Sequence, residues 1–222
     1  MSFRFKQFFI EDSKCAMKVG TDGVLLGAWA PVSELRILDV GTGSGLIARM
    51  LMQRCPEAEV EGIDIDEAAV EQARENGVKA FVSSLQEWQG SYDLIVSNPP
   101  YFQNSLKNPD EGRKAARHTD TLSYAELIHH SARLLTEHGQ LALILPAEAE
   151  NEIRQLAAAA DLFLTHVTRV YSKENKKPKR VLLSFEMSRC RDLEITSDTL
   201  VLEDEKGGRS AAYSELTKDF YL

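Results

Sequence analysis

The tetrapeptide Asn98-Pro99-Pro100-Tyr101 closes the apolar run "DLIVS" in a chain that has only seven prolines. Asn98 offers a side-chain carbonyl, and each proline removes its own N–H while fixing φ. A turn built this way presents hydrogen-bond acceptors with few competing donors. Upstream, "LDVGTGSG" (residues 38–45) delivers Asp39 at the end of another apolar run. Gly41, Gly43 and Gly45 then alternate through a turn into a helix. Such backbone can approach a ligand where side chains would collide. The place of the third glycine in a dinucleotide fingerprint is taken by Leu46, and the Gly-Lys-Ser/Thr ending of a phosphate loop is absent. Asp39 suits a cationic or hydroxyl-rich ligand better than a pyrophosphate. Asp64, in "EGIDID", closes the next run about 20 residues on, where a carboxylate can accept both hydroxyls of a ribose. Asp66 opens a helix and is better used as its N-cap.

These residues need a scaffold that brings strand ends together. The apolar runs "RILDV", "AEVEGIDI", "KAFVSS", "YDLIVS" and "GQLALILP" alternate with the helical stretches "GLIARMLMQRC", "DEAAVEQAREN", "SYAELIHHSARLL" and "EAENEIRQLAAAA". The alternation predicts an α/β fold: a mostly parallel sheet with helices on both faces. Two further β-rich runs, "FLTHVTRVYS" and "KRVLLSFEM", read as an antiparallel edge hairpin, making seven strands in all. The division expected is an N-terminal lid (1–35), a catalytic-type domain (36–187) and a small C-terminal hairpin and helix (188–222), the hairpin turning at Gly207-Gly208.

An acidic residue followed by G-x-G-x-G, with a second acid after the next strand, resembles the Rossmann-like S-adenosylmethionine-dependent methyltransferases across residues 36–187. The resemblance implies S-adenosylmethionine as cofactor and S-adenosylhomocysteine as product. It places the methionine part of the cofactor over Asp39, Gly41, Gly43 and Gly45, and the ribose on Asp64. Where the family often has an aspartate for the adenine amine, this chain has Ser84, followed by Leu85. Asn98-Pro99-Pro100-Tyr101 then falls at the end of the fourth strand, where ligands of open parallel sheets bind. An exocyclic amine on a planar ring is a poor nucleophile because its lone pair is delocalised. Acceptance of its two N–H bonds by Asn98 Oδ1 and the Pro99 carbonyl would let the nitrogen pyramidalise, while Tyr101 stacks on a flipped ring. N-P-P-Y in this position resembles the methyltransferases of adenine N6, cytosine N4 or glutamine amides. "FKQFFI", "CAMKVGTDGVLLGAWA", "RKAARHTDTLS", "KRVLLSF" and "LTKDFYL" extend the likeness to the whole chain. They resemble the bacterial tRNA (adenine-N6)-methyltransferases that modify the adenosine 3′ of the anticodon in a valine tRNA. That likeness implies that Lys18, Gly20 and Thr21 lie near the cofactor.

Composition narrows the alternatives. The chain has 222 residues, 43% of them hydrophobic, and a net charge of −8, which argues against a protein that coats nucleic acid non-specifically. Locally the balance reverses: residues 169–189 hold seven Lys/Arg against two Glu. Lys173, Lys176, Lys177, Lys179 and Arg180, with Arg113, Lys114 and Arg117 in the loop after Tyr101, are expected to contact tRNA phosphates. Three separated cysteines indicate neither a zinc site nor a disulfide framework. No metal, a monomeric state, no membrane span and a cytoplasmic location are expected. Adenine N6 of rRNA and a glutamine amide are the rival substrates. A non-catalytic RNA-binding protein on the same scaffold is the rival of another class, against which the intact Asn98-Pro99-Pro100-Tyr101 speaks.

Overall fold

The computed structural model describes residues 2–32, 36–100, 122–187 and 194–222. Its centre is an eight-stranded sheet of β3 (Arg36–Val40), β4 (Glu59–Asp64), β5 (Lys79–Val82), β6 (Tyr92–Ser97), β7 (Leu135–Pro146), β8 (Leu162–Tyr171), β9 (Arg180–Met187) and β10 (Thr196–Val201). Their order is β10-β8-β9-β7-β6-β3-β4-β5. β3 to β7 run parallel, and β8 and β9 form the antiparallel hairpin expected at the edge. The α/β architecture thus stands as read, with one more strand than the seven expected. The extra strand is β10, which pairs parallel to β8 inside the main sheet instead of folding back on its own tail. The turn at Gly207-Gly208 does form. It is closed by a bridge between Glu203 and Arg209, and Asp204 Oδ1 accepts from the backbone N–H groups of Lys206 and Gly208.

Residues alternate between the two faces of the sheet with period two, and each set meets its own helices. Ile37, Leu94, Val96, Ala142 and Ile144 pack with α1 (Thr21–Trp29), α2 (Leu46–Arg54) and α3 (Glu67–Glu75). Leu38, Ile95, Leu141, Leu143 and Leu145 pack with α4 (Tyr124–Leu134) and α5 (Glu150–Ala159). The helix starts are capped by chemistry readable in the sequence. Asp66 accepts from Ala68 N at 2.9 Å, and Ser123 and Glu126 form a reciprocal capping box at the head of α4. α1 lies hard against α2: a Cβ on Gly27 would stand 2.7 Å from Met50 Sδ, and one on Gly23 3.0 Å from Leu46 Cδ2.

The chain ends meet on this helical layer. β1 (Ser2–Arg4) and β2 (Phe9–Glu11) form a separate antiparallel pair. Phe5, Phe8 and Ile10 are buried with Val24, Ala28, Leu46, Met50 and Phe220, which follows the last helix, α6 (Ala211–Leu216). Lys6 N donates to Phe220 O at 2.8 Å, fastening the two terminal segments together. Docking is therefore the use of Phe5 and Phe8, while Phe3 and Phe9 face solvent.

Candidate active site

The glycine loop leaves β3 and is held from β4. Gly41 N and Thr42 N both donate to Ile63 O, at 2.9 and 3.0 Å, and Gly45 N donates to Thr42 O at 2.8 Å. Gly41, Gly43 and Gly45 all adopt positive φ, which a side chain would strain. Their surroundings differ. A Cβ on Gly45 would meet Val78 Cγ2 at 2.7 Å, so that glycine serves helix packing; a Cβ on Gly41 or Gly43 would meet nothing within 4 Å among the described residues. Those two form an open cradle. Gly62, which the sequence reading passed over, completes the fit, because a Cβ there would stand 2.7 Å from Thr42 Oγ1.

Two carboxylates lie at this cradle in different environments. Asp39 is fully buried; its Oδ2 accepts from Thr42 Oγ1 at 2.8 Å and from Ala48 N at 3.2 Å. Its Oδ1 has no hydrogen-bond partner among the described residues. Loss of solvation by burial pushes the carboxyl up to about 7, against the pull of those two hydrogen bonds. Asp64 is half-exposed and ties the loop to the next helix, Oδ2 accepting from Gly43 N and Oδ1 from Asp66 N, each at 3.0 Å. Beside it Ile65 and Val82, 56% and 49% exposed, offer apolar surface that the sequence reading did not single out. Ser84 Oγ lies within its own turn, accepting from Glu87 N at 3.3 Å, and Leu85 is buried in the core.

The end of β6 adjoins the cradle. β6 is the neighbour of β3, with Ser97 opposite Val40, and Ser97 Oγ donates to Val40 O at 2.8 Å. This bond clamps the strand end carrying Asn98 to the strand end carrying the glycine loop. Asn98 is half-buried, Pro99 buried and Pro100 exposed. Tyr101 lies outside the described residues, as do Arg113, Lys114 and Arg117.

The loop before α1 reaches the same place. Met17, 54% exposed, brings its sulfur 3.9 Å from Asn98 Nδ2, which donates to it. Lys18 folds this loop around itself, its ammonium donating to the carbonyls of Asp12 (2.7 Å), Ser13 (3.3 Å) and Cys15 (2.9 Å). Three acceptors match three ammonium protons. Gly20 is the extended residue ahead of α1, and Thr21 is its first residue. Lys14 anchors the loop to α3 through Glu71 and Glu75, at 3.0 and 2.7 Å.

The basic hairpin rises on the same side. Pro146, closing β7, pairs with Arg180, so the 172–179 turn stands beyond the strand ends that carry Asn98 and Gly41. Arg180 Nε donates to Asp22 Oδ2 at 2.8 Å, fixing the hairpin to α1, and Lys173 lies 3.4 Å from Glu203. Lys176, Lys177 and Lys179 are exposed, with no carboxylate within 4 Å among the described residues. Those residues include no group of three metal-ligating side chains, and no helix long and apolar enough to cross a membrane.

Comparison with known proteins adds the family. Residues 17–163 match the model of the methyltransferase small domain. A tRNA1(Val) (adenine(37)-N6)-methyltransferase of Parabacteroides distasonis is 46% identical, with 99% of this chain and 97% of that protein aligned. Enzymes of the same name from Phocaeicola vulgatus and Aeromonas salmonicida are each 44% identical over the same shares. Among solved structures, a predicted O-methyltransferase from Agrobacterium tumefaciens superposes with a TM-score of 0.70 at 18% identity, over 90% of this chain and 96% of that one. A TehB-like SAM-dependent methyltransferase from Corynebacterium glutamicum gives 0.51 at 20% identity, over 77% and 89%. At those identities the two structures bear on the fold alone.

Proposed function

This chain belongs to the tRNA1(Val) (adenine(37)-N6)-methyltransferase family, and from that premise we infer that it methylates the exocyclic N6 amine of the adenosine 3′ of the anticodon in a valine tRNA, with S-adenosylmethionine as donor. When bound, that cofactor supplies a methyl group on a sulfonium, whose departure leaves a neutral thioether. The residues present fit such a group. Among the described residues, Gly41 and Gly43 leave open space above their backbone, Asp39 holds a buried oxygen without a partner, and Ile65 and Val82 offer apolar surface beside the Asp64 carboxylate. Asp64 would take the ribose hydroxyls, exchanging part of its hold on the loop for them.

The chain's own work is to hold the amine. Asn98 Oδ1 and the Pro99 carbonyl accept its two N–H bonds and draw the lone pair out of conjugation, and the proline pair keeps competing donors out of the turn. Met17 takes a hydrogen bond from the Asn98 amide nitrogen, which helps to set the orientation of that amide. Lys18 braces the loop that carries Met17, its ammonium donating to the carbonyls of Asp12, Ser13 and Cys15, and with Gly20 and Thr21 borders the cofactor. Lys173, Lys176, Lys177, Lys179 and Arg180, with Arg113, Lys114 and Arg117, take the phosphates of the tRNA.

The observation that supports this reading is the hydrogen bond from Ser97 to Val40, which ties the strand end that leads into Asn98-Pro99-Pro100 to the strand end that leads into the glycine loop. The test is incubation of unmodified tRNA1(Val) transcript with labelled S-adenosylmethionine, followed by nucleoside mass spectrometry. N6-methyladenosine is expected, with the Asn98→Ala variant slower by about 100-fold or more. Absence of that nucleoside, or equal product from the variant, overturns the reading.

A further inference from the structure

Two cavities open where the C-terminal turn meets α1 and the basic hairpin. One, about 270 Å³, is bounded by Gly207, Gly208, Arg209 and Tyr213 on one side and Thr21 on the other. The second, about 170 Å³, runs from Thr21 to Lys179 and Arg180. They share Thr21 and Leu202 and so form one groove. It lies at the end of the sheet that carries Asn98, because Val201 pairs with Tyr171 at the base of the hairpin.

The charges along this groove are unequally used. Glu203 faces Lys173, Asp22 is paired with Arg180, and Asp204 caps the turn through Lys206 N and Gly208 N; Glu205 lies at the turn's exposed tip. Arg209 has no carboxylate within 4 Å among the described residues. It is nonetheless held in place: its Cζ stands 3.8 Å from the centre of the Tyr221 ring and 5.9 Å from that of Tyr213, and the two phenols meet at 3.1 Å. Stacking fixes the plane of the guanidinium and leaves its N–H edge for an acceptor, an arrangement suited to a phosphate oxygen. Gly207 has open space where a Cβ would stand, so backbone can approach the turn closely.

We propose that this groove is a second RNA-contacting surface, in which Arg209, pre-oriented by Tyr221, binds a backbone phosphate of the tRNA strand that Lys179 holds at the other end. The partner is RNA and not an acidic protein segment, because the groove runs to Lys179 and Arg180 of the basic hairpin and opens at the end of the sheet that carries Asn98. The inference rests on the tRNA reading above and extends it to a part of the chain beyond the matched domain, which ends at residue 163.

The test is equilibrium binding of the unmodified tRNA transcript to the full chain over a series of salt concentrations. Arg209→Ala should weaken binding about fivefold to tenfold and make the salt slope shallower by about one counterion. Arg209→Lys, which keeps the charge but loses the stacked plane, should fall between. Melting temperature and S-adenosylhomocysteine affinity should stay at the wild-type values, which excludes a folding defect. Unchanged tRNA affinity and slope in Arg209→Ala, in a preparation whose wild type makes N6-methyladenosine, overturns the groove alone. A wild type that makes no such product fails the function, and the groove with it.

Discussion

The two ends of the central sheet treat buried polar groups in opposite ways. Where the strands begin, Glu61 is surrounded by partners: Tyr92 OH donates at 2.7 Å, Lys79 at 2.7 Å, and Arg36 stands 3.7 Å away. Trp88 Nε1 donates in turn to the Tyr92 hydroxyl at 2.8 Å. Where the strands finish, among the described residues, Asp39 keeps an unmatched oxygen, Asp64 divides its carboxylate between two loop amides, and two glycines have no neighbour where a Cβ would stand. One end is closed on itself and serves stability. The other leaves polar groups incompletely matched among the described residues, at the end of an open α/β sheet where ligands bind.

The contrast can be broken at either end. Glu61→Gln should cost about 2 kcal/mol at neutral pH, discounted because its lysine is half-exposed, and lower the melting temperature by roughly 4–8 °C while methyl transfer at 20 °C is unaffected. Burial opposes ionisation of Glu61, but the hydrogen bonds from Lys79 and Tyr92 outweigh it and hold its pKa below the ordinary 4.5. Its contribution is therefore present above that value and lost as pH falls through the folded one, so the gap between variant and wild type should close in acid. A gap that persists in acid would mean that packing, not charge, holds this end together.

A sharper comparison lies within the glycine loop. Gly41→Ala and Gly45→Ala share the strain of a positive φ, but only Gly41 borders the cradle and only Gly45 touches Val78. The first should weaken S-adenosylhomocysteine binding about tenfold, read by calorimetry. The second should lower the melting temperature further than the first, by about 1–3 kcal/mol of overpacking. The reverse pattern would move the cradle elsewhere. The smallest effect is expected at Asp39. Its raised pKa means that the folded cofactor-free chain favours the protonated form, so its contribution is full in acid and lost as pH rises through about 7. Asp39→Asn should thus gain stability relative to wild type as pH rises from about 4 to 8, while binding cofactor less well. A difference in melting temperature that stays constant across that range would show that the buried carboxylate costs nothing.

What could be read from the sequence follows from the range of each cause. The apolar runs, the glycine spacing, the Asp66 cap and the strand end that leads into Asn98 are local patterns, and each stands in the structure where the sequence put it. β10 was missed as a sheet strand because four of its six residues are exposed and only Leu200 is buried, a polar pattern equally suited to a free hairpin. Met17 meets Asn98 across 81 residues, and Gly62 answers to the side chain of Thr42; no local pattern announces either contact. Nor does the sequence announce that the Lys18 ammonium is taken up by three carbonyls of its own loop, because that depends on how residues 12–18 fold back on themselves.

The tight seat of α1 on α2 has a mechanical consequence. With Gly23 and Gly27 pressed against Leu46 and Met50, the helix is a fixed abutment that neither slides nor rolls when substrate arrives. Met17 stands on the loop just ahead of this helix, so the placement of its sulfur 3.9 Å from Asn98 Nδ2 is referred to an element that is itself held. The helix serves as the frame against which the residues over the Asn98 amide are set.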